Sequence, residues 1–190
     1  VKENVDYREA FYDLEDCVSD KKIIFCEDFA AKTIVEKVLE SMNKRQYFDV
    51  EYNPGGEKTL LTKYLPTFVT HYFFKEKVFL VLDGDMQTDY VFNMDELTVK
   101  QEKNVSYMKE CVNKAYGVDI QAYIDGGQGG KREDQEIKIY KEYLKYHNNS
   151  VFYLPNKSIP EKILLESKYV AEEYGDIVNE NMEITNANAK

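Results

Sequence analysis

The sequence predicts an α/β domain built on a mostly parallel sheet flanked by helices. Two apolar runs, Ile23-Ile24-Phe25 and Val78-Phe79-Leu80-Val81, read as buried strands, and each ends on acidic residues, Glu27-Asp28 and Asp83-Gly84-Asp85. After the first run, Ala31, Ile34, Val35, Val38, Leu39 and Met42 recur at the spacing of one buried helical face. Strands that alternate with helices form parallel sheets through right-handed crossovers, and such sheets bind ligands beyond the carboxyl ends of their strands. Both acidic clusters fall on that edge.

The remaining elements continue the alternation. Phe48, Val50 and Tyr52 alternate with Asp49 and Glu51 as a half-buried strand does, and the run stops at the turn sequence Asn53-Pro54-Gly55-Gly56. Leu61, Tyr64, Leu65 and Phe68 return to helical spacing, with Pro66 expected to kink or shorten that helix because it lacks an N–H. Residues 86–100 have no clear period. Val105, Met108, Val112, Ala115 and Tyr116 predict a helix, Ile120 to Ile124 a short strand, and Asp125 to Gly130 a loop. A helix from about Glu133 carries Ile137, Tyr140 and Leu144, Val151 to Leu154 forms another buried strand, and Ser158 or Pro160 opens the next helix.

Composition sets bounds on the function. A chain of 190 residues with 43% hydrophobic and 14% aromatic residues supplies one core of ordinary domain size. The domain is expected over residues 21–175, preceded by an amphipathic segment, 1–20, whose Tyr7, Phe11, Leu14 and Val18 connect it to an upstream domain or pack on this one, and followed by a polar tail, 176–190. No apolar run approaches the roughly 20 residues that span a bilayer, and the first residues lack a signal peptide, so a cytoplasmic protein without a membrane partner is expected. Cys17, Cys26 and Cys111 are too scattered for a zinc knuckle or a disulfide framework. With 25 basic against 35 acidic residues, a net charge of −10, the chain does not hold nucleic acid by bulk charge, although bound metal ions or a basic partner would change the local field.

Carboxylates converging from separate strand ends suit a hard divalent cation, which takes oxygen ligands from one or two carboxylates, phosphate and water. Phosphodiester hydrolysis requires such ions, about 4 Å apart where paired, to generate hydroxide and to neutralise the leaving oxygen. Asp83 and Asp85 straddle Gly84, and if the strand continues that far the period of two points both side chains the same way. Asp28 is either part of this site or the N-cap of the following helix. Glu161, just after Pro160, is favoured in a first helical turn by the helix dipole whether or not it has a chemical role.

These residues resemble the Toprim domain, and most closely the nuclease domain of the OLD (overcoming lysogenisation defect) family. The strand ending in Glu27, the Gly-Gly turn after the second strand, the Asp83-x-Asp85 motif and the later Leu154-Pro155 followed by Pro160-Glu161 carry the resemblance, over roughly residues 21–175. It implies a Toprim-like sheet, with Glu27, Asp28, Asp83, Asp85 and Glu161 holding Mg²⁺ or Mn²⁺. Lys157, beside the expected site, is the expected cation for the transition state. The activity implied is endonuclease or nickase cleavage of DNA. The family often links this domain to an ABC-type ATPase domain and, in several relatives, serves antiphage defence; a homo-oligomer also fits. One departure stands out. Where many relatives carry a second acid one helical turn after the strand-end Glu, this chain has Ala31, so either Asp28 substitutes or the second metal is weaker. The alternatives are another Toprim phosphoryl transfer, such as primer synthesis or RNA processing, and a non-catalytic interaction domain that kept the fold.

Other features point elsewhere. Gly55-Gly56-Glu57-Lys58-Thr59 looks like the end of a Walker loop but lacks the Gly-Lys-Ser/Thr adjacency and the opening glycine, so it reads as a turn near the site. His71 and His147 read as surface or partly packed imidazoles, and most of the sixteen tyrosines, Tyr140 among them, as packing residues. Lys131, Arg132 and Lys162 read as solvated surface.

Overall fold

The computed structural model describes residues 21–124 and 132–167; the expected amino-terminal segment, the Asp125 to Gly130 loop, Lys131 and the polar tail lie outside them. Strand β1 (Lys22–Cys26) leads into helix α1 (Phe29–Ser41), then β2 (Phe48–Tyr52). Next come a short helix α2 (Gly56–Thr59), a π-helical turn over Leu60–Tyr64, α3 (Leu65–Thr70), α4 (Tyr72–Lys75) and β3 (Val78–Leu82). The second half has α5 (Val99–Glu102), α6 (Val105–Tyr116), the long α7 (Arg132–Ser150), β4 (Val151–Tyr153) and α8 (Pro160–Leu165).

The four strands form one all-parallel sheet in the order β2-β1-β3-β4, flanked by helices on both faces, an arrangement consistent with a Toprim-like fold. From β1 the chain steps to one side to form β2, then passes back across to form β3 on the other side. Its two helical connections accordingly lie on opposite faces, as a single crossover hand requires. The direction of winding therefore reverses between β1 and β3, and the crevice of such a sheet opens beyond the carboxyl ends at that reversal. Register places Cys26 opposite both Tyr52 and Val81, so the residues following all three strands emerge at one level.

The larger core joins Leu80 and Leu82 of β3 to Leu60, Leu61 and Leu65, to Met108, Val112 and Tyr116 of α6, and to Tyr140, Tyr143 and Leu144 of α7. The smaller one packs Ala31 and Leu39 of α1 on Ile24, Cys26 and Val50. The predicted apolar face of α1 is only partly covered: Val38 and Met42 are exposed, and Met42 lines an open groove with Leu39, Tyr47 and Phe48 at the amino ends of β1 and β2. Pro66 acts by widening the helix ahead of it. The Leu65 N–H reaches back to the Leu60 carbonyl, five residues earlier, and Pro66 then sits in the first turn of α3, where its missing N–H does least harm.

Two expectations are corrected. Residues 120–124 are not a strand; Ile120 is buried and held through its N–H by the Asn113 side chain, so tertiary anchoring accounts for its apolar character. Strand β3 ends at Leu82, and Gly84–Met86 curl into a 3₁₀ turn closed by the Met86 N–H on the Asp83 carbonyl. The period of two is lost there. Asp83 is buried while Asp85 is exposed, and the two carboxylates do not share a face.

Candidate metal-binding edge

Glu27 and Asp83 meet at the β1/β3 reversal. The Glu27 N–H donates to the Val81 carbonyl, extending the ladder one step, and the Glu27 carboxylate turns across to accept the Asp83 N–H through Oε2 at 3.1 Å. Both residues are buried, and Asp83 Oδ1 is buried with no hydrogen-bond partner. Burial pushes the Glu27 carboxyl up to about 7 against the pull of the Asp83 N–H, with the charges of Glu57, Asp28 and Asp85 adding to the rise. Asp83 is also raised to about 7, first by burial and then by Glu27, Asp28, Asp85 and Glu161.

Gly84 ties the segment after β4 to this edge. Its N–H donates to the Ser158 carbonyl at 2.9 Å, and a Cβ at this position would lie 2.5 Å from the Leu154 carbonyl oxygen and 2.6 Å from the Ser158 nitrogen. Only glycine permits so close an approach of two backbones. The chain then enters α8 at Pro160, the expected first helical position, and Glu161 follows in the first turn, exposed, its charge felt at Asp83. Asp28 is the N-cap of α1, accepting the Ala31 N–H through Oδ1 at 2.7 Å. Ala31 itself is fully buried beneath this turn.

The residues predicted from sequence are thus brought to one edge with unequal roles, and Lys157 stands apart. Its ammonium pairs with the exposed Asp89 at 2.5 Å, and its backbone is in the left-handed region at φ 48°. Arg132 and Lys162 pair with Glu136 and Glu166, and His147 is partly packed, hydrogen-bonded to the Tyr153 hydroxyl and edge-on to Tyr116. Cys26 and Cys111 are buried thiols. One acid escaped the sequence reading. Glu57, in the first turn of α2, is half-buried and acts on Glu27 more strongly than Asp28 or Asp85 does. Its signal in the sequence is the Gly55-Gly56 turn at the carboxyl end of β2, which delivers Glu57 directly after it.

No carboxylate among Glu27, Asp28, Glu57, Asp83, Asp85 and Glu161 forms an ion pair with any described residue, although lysines and arginines elsewhere on the surface are amply paired. Among the described residues no three His, Cys, Asp or Glu side chains are placed to hold a metal ion as they stand, so ligation by three acids requires side-chain rotation, which the exposed Asp85 and Glu161 permit. The donor set is all oxygen, the field is uncompensated and Asp83 Oδ1 lacks a partner. Those properties fit a hard divalent cation such as Mg²⁺ or Mn²⁺. The chain matches no family model, no curated protein and no solved structure. Among the described residues no helix is long and apolar enough to cross a membrane.

Proposed function

We propose that this domain is a divalent-metal-dependent phosphodiesterase acting on DNA, a nickase or endonuclease of the OLD Toprim kind. The observation that carries the reading is the buried, unpartnered Asp83 Oδ1 beside Glu27, on an acidic edge that no described basic side chain neutralises. Glu27, Asp83 and Asp85 would hold Mg²⁺ or Mn²⁺, with Glu161 approaching from α8; bound there, the ion would activate water and neutralise charge on the departing oxygen. The chain's own contribution is a fixed frame. Without the ion the Glu27 carboxyl is raised to about 7 by burial, a cost that a bound cation would offset, and the Asp83 N–H fixes the orientation of that carboxylate. Gly84 clamps the frame by locking the segment after β4 against the end of β3.

An ATPase domain or subunit and a role in antiphage defence belong to the same proposal, on the strength of the resemblance alone. The net charge of −10 supports dependence on such help, since the chain has little positive charge with which to grip a phosphate backbone. Supercoiled plasmid, structured RNA and nucleoside triphosphates incubated separately with the protein and Mg²⁺ or Mn²⁺ test the reading. Metal-dependent conversion of plasmid to the nicked or linear form is the expected result. Cleavage of RNA alone, or nucleotide polymerisation, would move the site to another phosphoryl transfer, and inertness on all three would favour a non-catalytic domain.

A further inference from the structure

The apolar face of α1 runs past the part that the sheet covers. Ala31 and Leu39 are buried on β1 and β2, but Met42, just beyond the carboxyl end of α1, is 59% exposed, and Tyr47, at the entry to β2, is 55% exposed. With Leu39 and Phe48 they line an open groove of about 780 Å³ at the amino ends of β1 and β2, the end of the sheet opposite Glu27 and Asp83. Among the described residues, each charged side chain that lines it is a lysine: Lys21, Lys22 and Lys44. The ammonium groups of Lys22 and Lys44 lie over the rings of Phe79 and Tyr47, 5.1 and 5.4 Å from the ring centres, and neither pairs with a described carboxylate. An exposed apolar surface bordered by positive charge suits an apolar strip flanked by acids.

The chain carries such a strip next to the groove. In residues 1–20, outside the described residues, Tyr7, Phe11, Leu14 and Val18 follow one another at the spacing of one helical face, in a segment with seven acidic and two basic residues. Only Ser19 and Asp20 separate Val18 from Lys21, which itself lines the groove, and that stretch spans at most about 11 Å. The strip is thereby tethered beside the one apolar surface that its composition matches in charge. We propose that residues 7–18 lie in this groove as a helix, with Tyr7, Phe11, Leu14 and Val18 on Leu39, Met42, Tyr47 and Phe48 and with acids of the same segment facing Lys22 and Lys44. The apolar surface that α1 leaves open is then covered by the chain's own preceding segment, and burial of that surface supplies the driving force.

A single cysteine placed in the strip reports whether it is covered. In the full chain carrying Cys17→Ser and Leu14→Cys, the remaining thiols, Cys26 and Cys111, are buried, so the rate of modification by the thiol reagent DTNB reads residue 14. That rate is expected to rise at least about tenfold when Met42→Asp or, separately, Tyr47→Asp is added, and to stay unchanged with Met42→Leu. Met42 and Tyr47 are exposed in the described fold, so circular dichroism and melting are expected to show these variants folded. Lys22→Glu combined with Lys44→Glu should raise the rate in the same direction. A rate unaffected by both aspartate substitutions would overturn the assignment. Protection that disappears on dilution of the protein would also overturn it, because the strip would then be covered by a second copy.

Discussion

The Glu27 carboxylate accepts a hydrogen bond from the backbone N–H of Asp83 at 3.1 Å, linking the ends of two parallel strands at residues 56 positions apart in the chain. The bond makes the acidic edge a fixed feature of the fold. It also sets the Glu27 charge beside a buried Asp83 carboxylate whose Oδ1 has no partner, so the native state carries an electrostatic cost when both groups ionise.

Asp83→Asn is expected to separate chemistry from stability. Removing the charge relieves repulsion from Glu27, Asp28, Asp85 and Glu161, and the variant should unfold in EDTA at pH 8 with on the order of 1 to 3 kcal/mol more stability than the wild type. Urea denaturation followed by circular dichroism gives the difference. A less stable variant would show that Asp83 is held by favourable contacts.

The pH dependence of stability has a definite sign. Glu27 and Asp83 both have folded pKa values raised to about 7, so the native state binds protons that the unfolded chain has already released. Their contribution is complete below their unfolded pKa values, near 4, and is lost as pH rises through about 7. Glu102 and Asp89 act in the opposite sense: hydrogen-bonded to Lys141 and Lys157, they have lowered values, and their small contributions are lost only in acid as pH falls through those values. Denaturation midpoints in EDTA should therefore fall between about pH 5 and 8, with a shallower fall in Asp83→Asn. A midpoint that rises across this interval would contradict the arrangement.

Gly84→Ala tests the clamp between β3 and the segment after β4. The added methyl would meet the Leu154 carbonyl and the Ser158 N–H at separations that backbone atoms do not tolerate, so the segment must move. The expected cost is about 1–3 kcal/mol, together with loss of any contribution from Glu161. Thermal unfolding, with cleavage rates measured well below the transition, would check both effects, and a variant as stable as the wild type would show that the close approach is easily relaxed.

Much of this was legible in the sequence, for identifiable reasons. Strands β1 and β3 are continuous apolar runs because both faces of a parallel sheet are covered, and each stops where carboxylates begin, so the pattern alone puts Glu27 and Asp83 on one edge. The orientation of Asp85 was not legible, since the 3₁₀ turn at Gly84 depends on the distant Ser158 carbonyl. The partner of Lys157 was equally hidden, because Asp89 lies 68 residues away and no local pattern joins them. Burial of Ile120 without strand formation has the same origin in a long-range anchor, the Asn113 side chain.

Asp28 is expected to act chiefly as a cap. Asp28→Asn keeps the acceptor for the Ala31 N–H and should melt close to the wild type, whereas Asp28→Ala should lose about 1 kcal/mol. Metal-dependent cleavage by Asp28→Asn within a few-fold of the wild type would confine the residue to that structural role. A large loss with unchanged melting would return Asp28 to the metal site.

The central claim is that the Glu27–Asp83 edge hydrolyses phosphodiester bonds through a bound divalent ion. The most direct measurement is the rate of supercoiled plasmid nicking in Mn²⁺ by wild-type protein and by Asp83→Asn, each repeated in EDTA. The account predicts nicking by the wild type in Mn²⁺, none in EDTA, and a rate at least about 100-fold lower for a folded Asp83→Asn. Nicking by Asp83→Asn at the wild-type rate would contradict it.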